Sequence, residues 1–482
     1  MSAFRITGAL GVALVLLALA MLLPAAVAAG TGQSALAINF LMAAGLTGFV
    51  GAVAALTGRG SSQPFGDGEG LVVFVLFWLV PAPFAALPLY ASGRLADPLP
   101  ALFNALSALT TTGATVGFDP AREPLAIVLW LFILGWLGGF ASIVAAVALL
   151  TRLDLSGLQM LHVGIRRGEG ESLAQSLGGI ARRLSSVYSG LTAVGAIALS
   201  AAGLPGHQAV LAALGAVSTS GLPFRPEGTM FTIGPAAELA LTLCMLAGAS
   251  NLTMLAAVAA GRWRPMASDR ELRYLLLACL LVALAIAFLL RLDGAAVPQA
   301  VLAGLFLAVS TLSSTGYGPA SAAGALVAAP VLLIGVVLIG GTAGSASGGF
   351  KLLRTAILCK QANRELSRLA FPHGVIPFHL GSRRIFEPTV RSVWTLFYVM
   401  LSCLVAGSLA LAALGVSPVT ALLAVVACLS NTGPMLSMLE PAGEGYAALP
   451  HSGKLLLMLA MVLGRVEMLA FITALSPAFW RQ

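Results

Sequence analysis

The sequence predicts an all-α polytopic membrane protein with four pseudo-repeated helix–pore loop–helix units around one pore, preceded by a two-helix hairpin. Three observations carry this. The 482-residue chain is 59% hydrophobic and only 9% charged, with mean hydropathy +0.98, whereas soluble proteins carry about 25% charged residues. Long windows hold no Asp, Glu, Lys or Arg, among them 6–58, 124–151, 294–350 and 392–439, and each accommodates at least one span of about 20 residues. Finally, one short motif recurs four times: Thr111-Thr112-Gly113, Thr219-Ser220-Gly221, Ser314-Thr315-Gly316 and Asn431-Thr432-Gly433, with glycines 108, 95 and 117 residues apart. A repeat of that period is what one chain needs to close a ring of backbone carbonyls around an ion.

The elements follow in order. Residues 1–69 form the hairpin, with helices over 7–29 and 35–57. Arg5, an apolar run and Ala26-Val27-Ala28 resemble a secretory signal. The run from Ile6 to Ala29 exceeds the usual core of about 7–15 residues, so it reads as a retained helix. Unit one (70–152) places an outer helix over 71–92, a pore loop over 98–118 and an inner helix over 124–151. Unit two (153–262) runs 184–203, 205–223 and 231–261. Unit three (263–360) runs 272–291, 297–318 and 325–350. Unit four (361–482) runs 390–414, 417–435 and 454–477. The total is ten spanning helices and four re-entrant segments.

Charge orients this plan. The clusters Arg152–Arg183, Arg262–Arg273 and Lys351–Arg391 hold 17 of the 26 basic residues, and all fall on one side. That is the positive-inside bias, which puts both termini in the cytoplasm and accounts for the net charge of +8 without nucleic acid. Anionic membrane lipid is a secondary partner for these clusters. The other face carries Asp97, Asp119, Glu123, Glu227, Asp293, Glu440 and Glu444, a mild acidic excess that suits cations at the mouth.

Each re-entrant segment opens near a proline, at Pro100, Pro205, Pro298 or Pro418, a residue that suits the first turn of a helix. A helix of roughly 10–15 residues rises about 15–22 Å and stops inside the ~30 Å hydrocarbon core. Its C-terminal end then presents free carbonyls and partial negative charge to the membrane centre, where a cation fits. Backbone carbonyls replace an ion's hydration shell without net charge, and glycine lets successive carbonyls turn inward. The carbonyls of Thr111, Thr112, Gly113, Thr219, Ser220, Gly221, Ser314, Thr315, Gly316, Asn431, Thr432 and Gly433 are the candidate ligands. A single Ser-Thr-Gly is usually only a helix cap; four copies in matching places argue for a pore.

Two further features lie in the spans. The run Gly340-Gly341-Thr342-Ala343-Gly344-Ser345-Ala346-Ser347-Gly348-Gly349 is half glycine, at a helix cost of about 1 kcal/mol for each glycine. It either unwinds into an intramembrane loop or packs tightly through Gly340, Gly344 and Gly348. Arg465 is the one basic residue well inside a predicted span, a functional candidate by default.

These motifs, with Gly464-Arg465-Val466-Glu467 and Pro372-His373-Gly374-Val375-Ile376-Pro377, resemble the Trk/Ktr/HKT superfamily of potassium transporters, bacterial TrkH type, over nearly the whole chain. The resemblance implies potassium uptake across a bacterial inner membrane, the glycine in all four loops going with potassium preference. The second loop departs, with Ser220 and Leu222 where Thr and Phe are commoner. It implies that Gly340, Gly341, Gly344, Ser345, Gly348 and Gly349 form a gate loop, with Arg465 raising the barrier to cations beside it. It further implies a homodimer and a cytosolic TrkA-type nucleotide-binding regulatory subunit; potassium is substrate, and no cofactor is bound by the chain. Symport coupled to sodium or protons is the alternative. The five cysteines have no metal-site spacing. The five histidines sit in loops or at membrane edges, which disfavours an intramembrane serine hydrolase near Gly344.

Overall fold

The computed structural model describes residues 3–58, 67–147 (apart from 96), 173–322 (apart from 226), 329–370, 378–380, 383–385 and 387–466 (apart from 442). Seven described helices are long and apolar enough to cross a membrane, or eight when one sharply bent pair counts as a span. The remaining two of the ten expected spans are the inner helices of units three and four. The inner helix of unit three stops at Ile339, and that of unit four is described only to Val466. Its expected continuation to 477, the Pro372–Pro377 run, Glu467 and most of the Arg152–Arg183 cluster lie outside the described residues.

The hairpin pairs Ala3–Gly30 with Ser34–Thr57. Small residues set its spacing: a Cβ on Gly11 would lie 2.3 Å from the Ala55 nitrogen, and one on Gly8 2.7 Å from the Gly58 Cα. Such close backbone approach is how helices associate where lipid removes the hydrophobic drive. Leu16, Leu19, Leu23, Leu41, Met42 and Phe49 stay exposed on its outer face. The hairpin is fastened to unit one by Phe40 packed edge-on to Trp130 and by Asn39 Nδ2 donating to the Ala91 carbonyl at 2.8 Å.

Outer helices occupy Asp67–Leu79 with Pro81–Ala91, then Leu173–Ala201, Arg270–Leu292 and Glu387–Ala413. The first is interrupted at Val80, where Pro81 and Pro83 supply no N–H to the helical ladder. The second begins well before the expected residue 184. Inner helices occupy Leu125–Ala145, Pro235–Ala249 with Leu252–Ala259, Pro330–Ile339 and His451–Val466.

The inner helix of unit two corrects the expectation of a continuous helix over 231–261. It bends by 108° between Ala249 and Leu252. Asn251 starts the second segment as its N-cap, its side chain accepting from the Thr253 N–H at 3.0 Å. Two short strands fasten the outer loops: Met230–Phe231 runs parallel to Gly318–Pro319. A second pair, His379–Leu380 antiparallel to Arg383–Arg384, precedes the fourth outer helix.

Candidate functional site

The four re-entrant helices are Pro98–Leu109, Gly206–Val217, Val297–Leu312 and Pro418–Leu429, of 12, 12, 16 and 12 residues. At about 1.5 Å per residue, the 12-residue copies cover roughly 18 Å. All four end in the same cap. The first motif residue takes a left-handed conformation, with φ of 55° at Thr111 and Thr219, 60° at Ser314 and 53° at Asn431. Its N–H turns back to the carbonyls of Ala108, Ala216, Thr311 and Cys428, and the next N–H reaches Ser107, Gly215, Ser310 and Ala427 at 2.7–3.0 Å. This is the Schellman pattern, which normally places glycine at the left-handed position. Threonine there costs on the order of 1–2 kcal/mol, and strain repeated at four matching sites marks function.

The four turns close a ring in chain order. A Cβ on Gly113 would lie 2.0 Å from the Ser220 carbonyl oxygen, and one on Gly221 would lie 1.8 Å from that of Thr315. One on Gly316 would meet Pro434 at 3.0 Å, and one on Gly433 the Ala114 nitrogen at 2.3 Å. No side chain fits between neighbours, so glycine is required for the turns to converge.

The copies are not identical. Gly113, Gly221 and Gly316 have φ of 74°, 61° and 78°, and Gly433 is not in that region. The Gly433 N–H donates to the Thr112 carbonyl at 2.6 Å, and its own carbonyl accepts from the Tyr446 hydroxyl at 2.8 Å. Two candidate ligand carbonyls, Thr112 of the first turn and Gly433 of the fourth, are thus engaged by protein donors.

Behind the turns, hydrogen bonds fix each descending loop. Asn104 clamps Val116 through both its N–H and its carbonyl, at 2.8 and 2.9 Å. The Tyr317 hydroxyl donates to the Leu222 carbonyl at 2.7 Å. Asn431 Nδ2 donates to Thr112 Oγ1 at 2.9 Å and to the Met461 carbonyl at 3.0 Å.

The side chains of the left-handed residues carry further oxygens, that of Asn431 lying against Gly464 of the fourth inner helix. Thr111 Oγ1, Thr219 Oγ1 and Asn431 Oδ1 are buried and lack a hydrogen-bond partner among the described residues. The fourth, Ser314 Oγ, accepts the Gly348 N–H at 2.7 Å. Buried oxygens without partners are costly and fit a site for a cation.

Gly348 belongs to the glycine-rich run, which is unwound: no helix spans Gly340 to Lys351. Gly340, Gly344 and Gly349 take φ of 72°, 77° and 79°. The run packs under the ring, where a Cβ on Gly348 would lie 2.0 Å from the Ser430 carbonyl oxygen. It also fills the bend in unit two. Thr342 N donates to the Ala249 carbonyl and Ala346 N to that of Gly248, and Leu252 N donates to the Gly344 carbonyl. Two irregular segments therefore satisfy each other's freed backbone groups at membrane depth. Gly341 abuts Ser347 and Ala249, and Ser345 Oγ donates to the Thr342 carbonyl at 2.6 Å.

Arg465 faces the same place. It lines one cavity together with Ser345, Gly348 and Lys351. Its Nε donates to Ser142 Oγ at 2.6 Å, while Nη2 has no partner among the described residues. On the other side of the ring, Gly113 and Gly433 open into a vestibule of about 480 Å³, lined by Asp119, Glu123, Glu440 and Glu444. Arg122, paired with Asp119 at 3.2 Å, is the base among them.

Sequence reasoning missed the bend at Ser250–Asn251, the Tyr446 contact and Glu271. Glu271 was expected just outside a span, but it is buried with Oε1 accepting the Ala343 N–H at 2.6 Å. The signal for the bend was present: Asn251 two residues before Thr253 is an N-cap pattern inside an apolar window. Nothing local to the sequence reveals the other two contacts, which join residues 13 and 72 positions apart.

The chain also compares closely with known proteins. The sequence profile of the TrkH family, described as a cation transport protein, matches residues 38–482. The Trk system potassium uptake protein TrkH of Halomonas elongata is 32% identical over 450 residues, 92% of each chain. The protein of that name from Vibrio parahaemolyticus is 30% identical over 491 aligned positions, covering 100% of this chain and 99% of the relative. The crystal structure of the potassium transporter TrkH from Vibrio parahaemolyticus superimposes with TM-score 0.89 over 100% of both chains, at 29% identity. The chain therefore belongs to the TrkH family of cation transport proteins, as a multi-pass membrane transporter and not an enzyme.

Proposed function

We propose that this protein carries potassium into the cell across the bacterial inner membrane, through a gated pore whose selectivity filter is the ring of four turns. The observation that carries this is the closure of Gly113, Gly221, Gly316 and Gly433 in chain order at the ends of four half-crossing helices. Carbonyls of the motif residues, supplemented by Thr111 Oγ1, Thr219 Oγ1 and Asn431 Oδ1, replace the ion's water. The acidic vestibule faces the outside and concentrates cations. The run 340–350 blocks the exit on the cytoplasmic side, and the Arg465 charge beside it raises the barrier to a cation leaving the ring. The names of the relatives, potassium uptake proteins, support the choice of ion. The family resemblance also supports a homodimer regulated by a TrkA-type cytosolic subunit, with both termini cytoplasmic.

Rubidium and sodium flux into liposomes holding the purified protein tests this reading. Passive rubidium entry well above sodium entry is expected. Rubidium accumulation against its gradient, dependent on an imposed sodium or proton gradient, would establish symport in place of a pore.

A further inference from the structure

Glu271 is a buried carboxylate that the proposed transport path does not use. It sits in the first turn of the third outer helix, 7% exposed. An acid at that depth is costly unless held by hydrogen bonds or opposite charge. Its partner is specific: Oε1 accepts the Ala343 N–H, in the middle of the unwound run, at 2.6 Å. The other charges whose fields reach it are Asp269, Lys351 and Arg354.

The run is thereby held at three places by groups of different kinds. Glu271 holds its first half through Ala343. The Lys351 ammonium holds its second half, donating to Ser347 Oγ at 3.2 Å and to the Ser347 carbonyl. Gly348 is held against the ring by Ser314 Oγ. The bonds to Gly248, Ala249 and Leu252 are neutral backbone pairs, worth about half of a charge-assisted bond. Glu271 reaches the run from the third outer helix by a charged group, whereas the fourth outer helix meets it through an apolar contact, Phe397 edge-on to Phe350.

We propose that Glu271 is the positioning residue that keeps residues 340–350 seated beneath the ring. The inference deepens the gate reading given above and rests on it for its functional consequence. The seating itself is tested separately.

The test uses full-length protein in liposomes, with the native cysteines replaced by serine or alanine and one reporter, Ser345→Cys, in the run. The rate of modification by a water-soluble methanethiosulfonate reagent is measured alongside rubidium and sodium flux. Glu271→Ala should speed reporter modification about tenfold, the order expected on losing one charge-assisted hydrogen bond. Rubidium flux should rise with it, at an unchanged rubidium-to-sodium ratio. Glu271→Gln keeps a neutral acceptor oxygen, worth about half the bond, and should speed modification by only about threefold. Unchanged modification in a folded, monodisperse Glu271→Ala protein would overturn the proposal, as would a glutamine variant that behaves like alanine. Faster modification with unchanged flux would uphold the positioning role while refuting the run as the gate, so the two ideas fail separately.

Discussion

At the level of the four turns the units are near copies, and beneath it they are not. Each turn repeats the same cap and the same left-handed first residue, and each glycine abuts the next unit, at a motif carbonyl for Gly113 and Gly221 and at Pro434 and Ala114 for Gly316 and Gly433. Below, units one, two and four press a glycine of the inner helix against the last carbonyl of their own re-entrant helix. A Cβ there would lie 1.7 Å from the Leu109 oxygen at Gly138, 2.7 Å from Val217 at Gly248 and 2.3 Å from Leu429 at Gly464. Unit three has no such helix contact; its inner helix ends at Ile339 and the unwound run takes the place. The difference fits the roles proposed above for the two layers. Replacing a hydration shell needs ligands from all sides, so the ring is conserved in geometry across the units. Blocking a narrow path needs one element, so a single unit is free to diverge.

The comparison breaks most sharply at the ring. Gly221→Ala puts a methyl group 1.8 Å from the Thr315 carbonyl oxygen at a φ of 61°. Neither backbone can yield, and rubidium flux in liposomes should fall by at least about tenfold through local strain. Gly335→Ala, in the third inner helix with nothing within 4 Å, should leave it within twofold. Equal effects would deny the ring its special role.

The lower layer is sharpened by Arg465→Gln. A unit charge contributes on the order of 1–2 kcal/mol at about 8–16 Å under an effective dielectric constant near 20. Its removal should raise rubidium flux about tenfold and leave the rubidium-to-sodium ratio alone, because the ring is untouched. A changed ratio would mean the two layers are not separable.

The smallest effect lies in the vestibule. Burial pushes the Glu123 carboxyl up from its ordinary range; Arg94 partly offsets this and Asp119 adds to it. A raised carboxyl loses its charge at a higher pH than an ordinary one. Flux at low rubidium concentration should therefore begin to decline on mild acidification. Glu123→Gln should abolish that early part of the decline, a change of less than about threefold, read from flux against external pH.

Much of this was legible in the sequence, for physical reasons. Charge-free windows and proline-led short helices reflect the cost of charge and open backbone in hydrocarbon, a cost paid wherever the segment sits. The four motifs and the glycine load at 340–349 were visible on the same grounds. The resemblance to TrkH-type transporters pointed to the run and Arg465 together, and the fold brings both to one cavity; the gate role itself is a proposal. What was hidden depends on partners distant in sequence. The left-handed residue is the one two places before each glycine, because the cap of the short helix falls there. The break at Ser250–Asn251 carries a local N-cap signal, but the run from unit three that satisfies its freed backbone groups is distant in sequence. Glu271 looked like an ordinary residue at a helix start, and only the fold brings Ala343 to it.

Central to the account is that the four turns bind a dehydrated potassium ion on their common axis. Thallium, a potassium substitute of high electron density, locates such an ion directly by difference density in crystals or by cryo-electron microscopy of the full-length protein. A peak on the axis enclosed by Gly113, Gly221, Gly316 and Gly433 is expected. Thallium confined to the acidic vestibule, in a preparation that conducts it, would contradict the account.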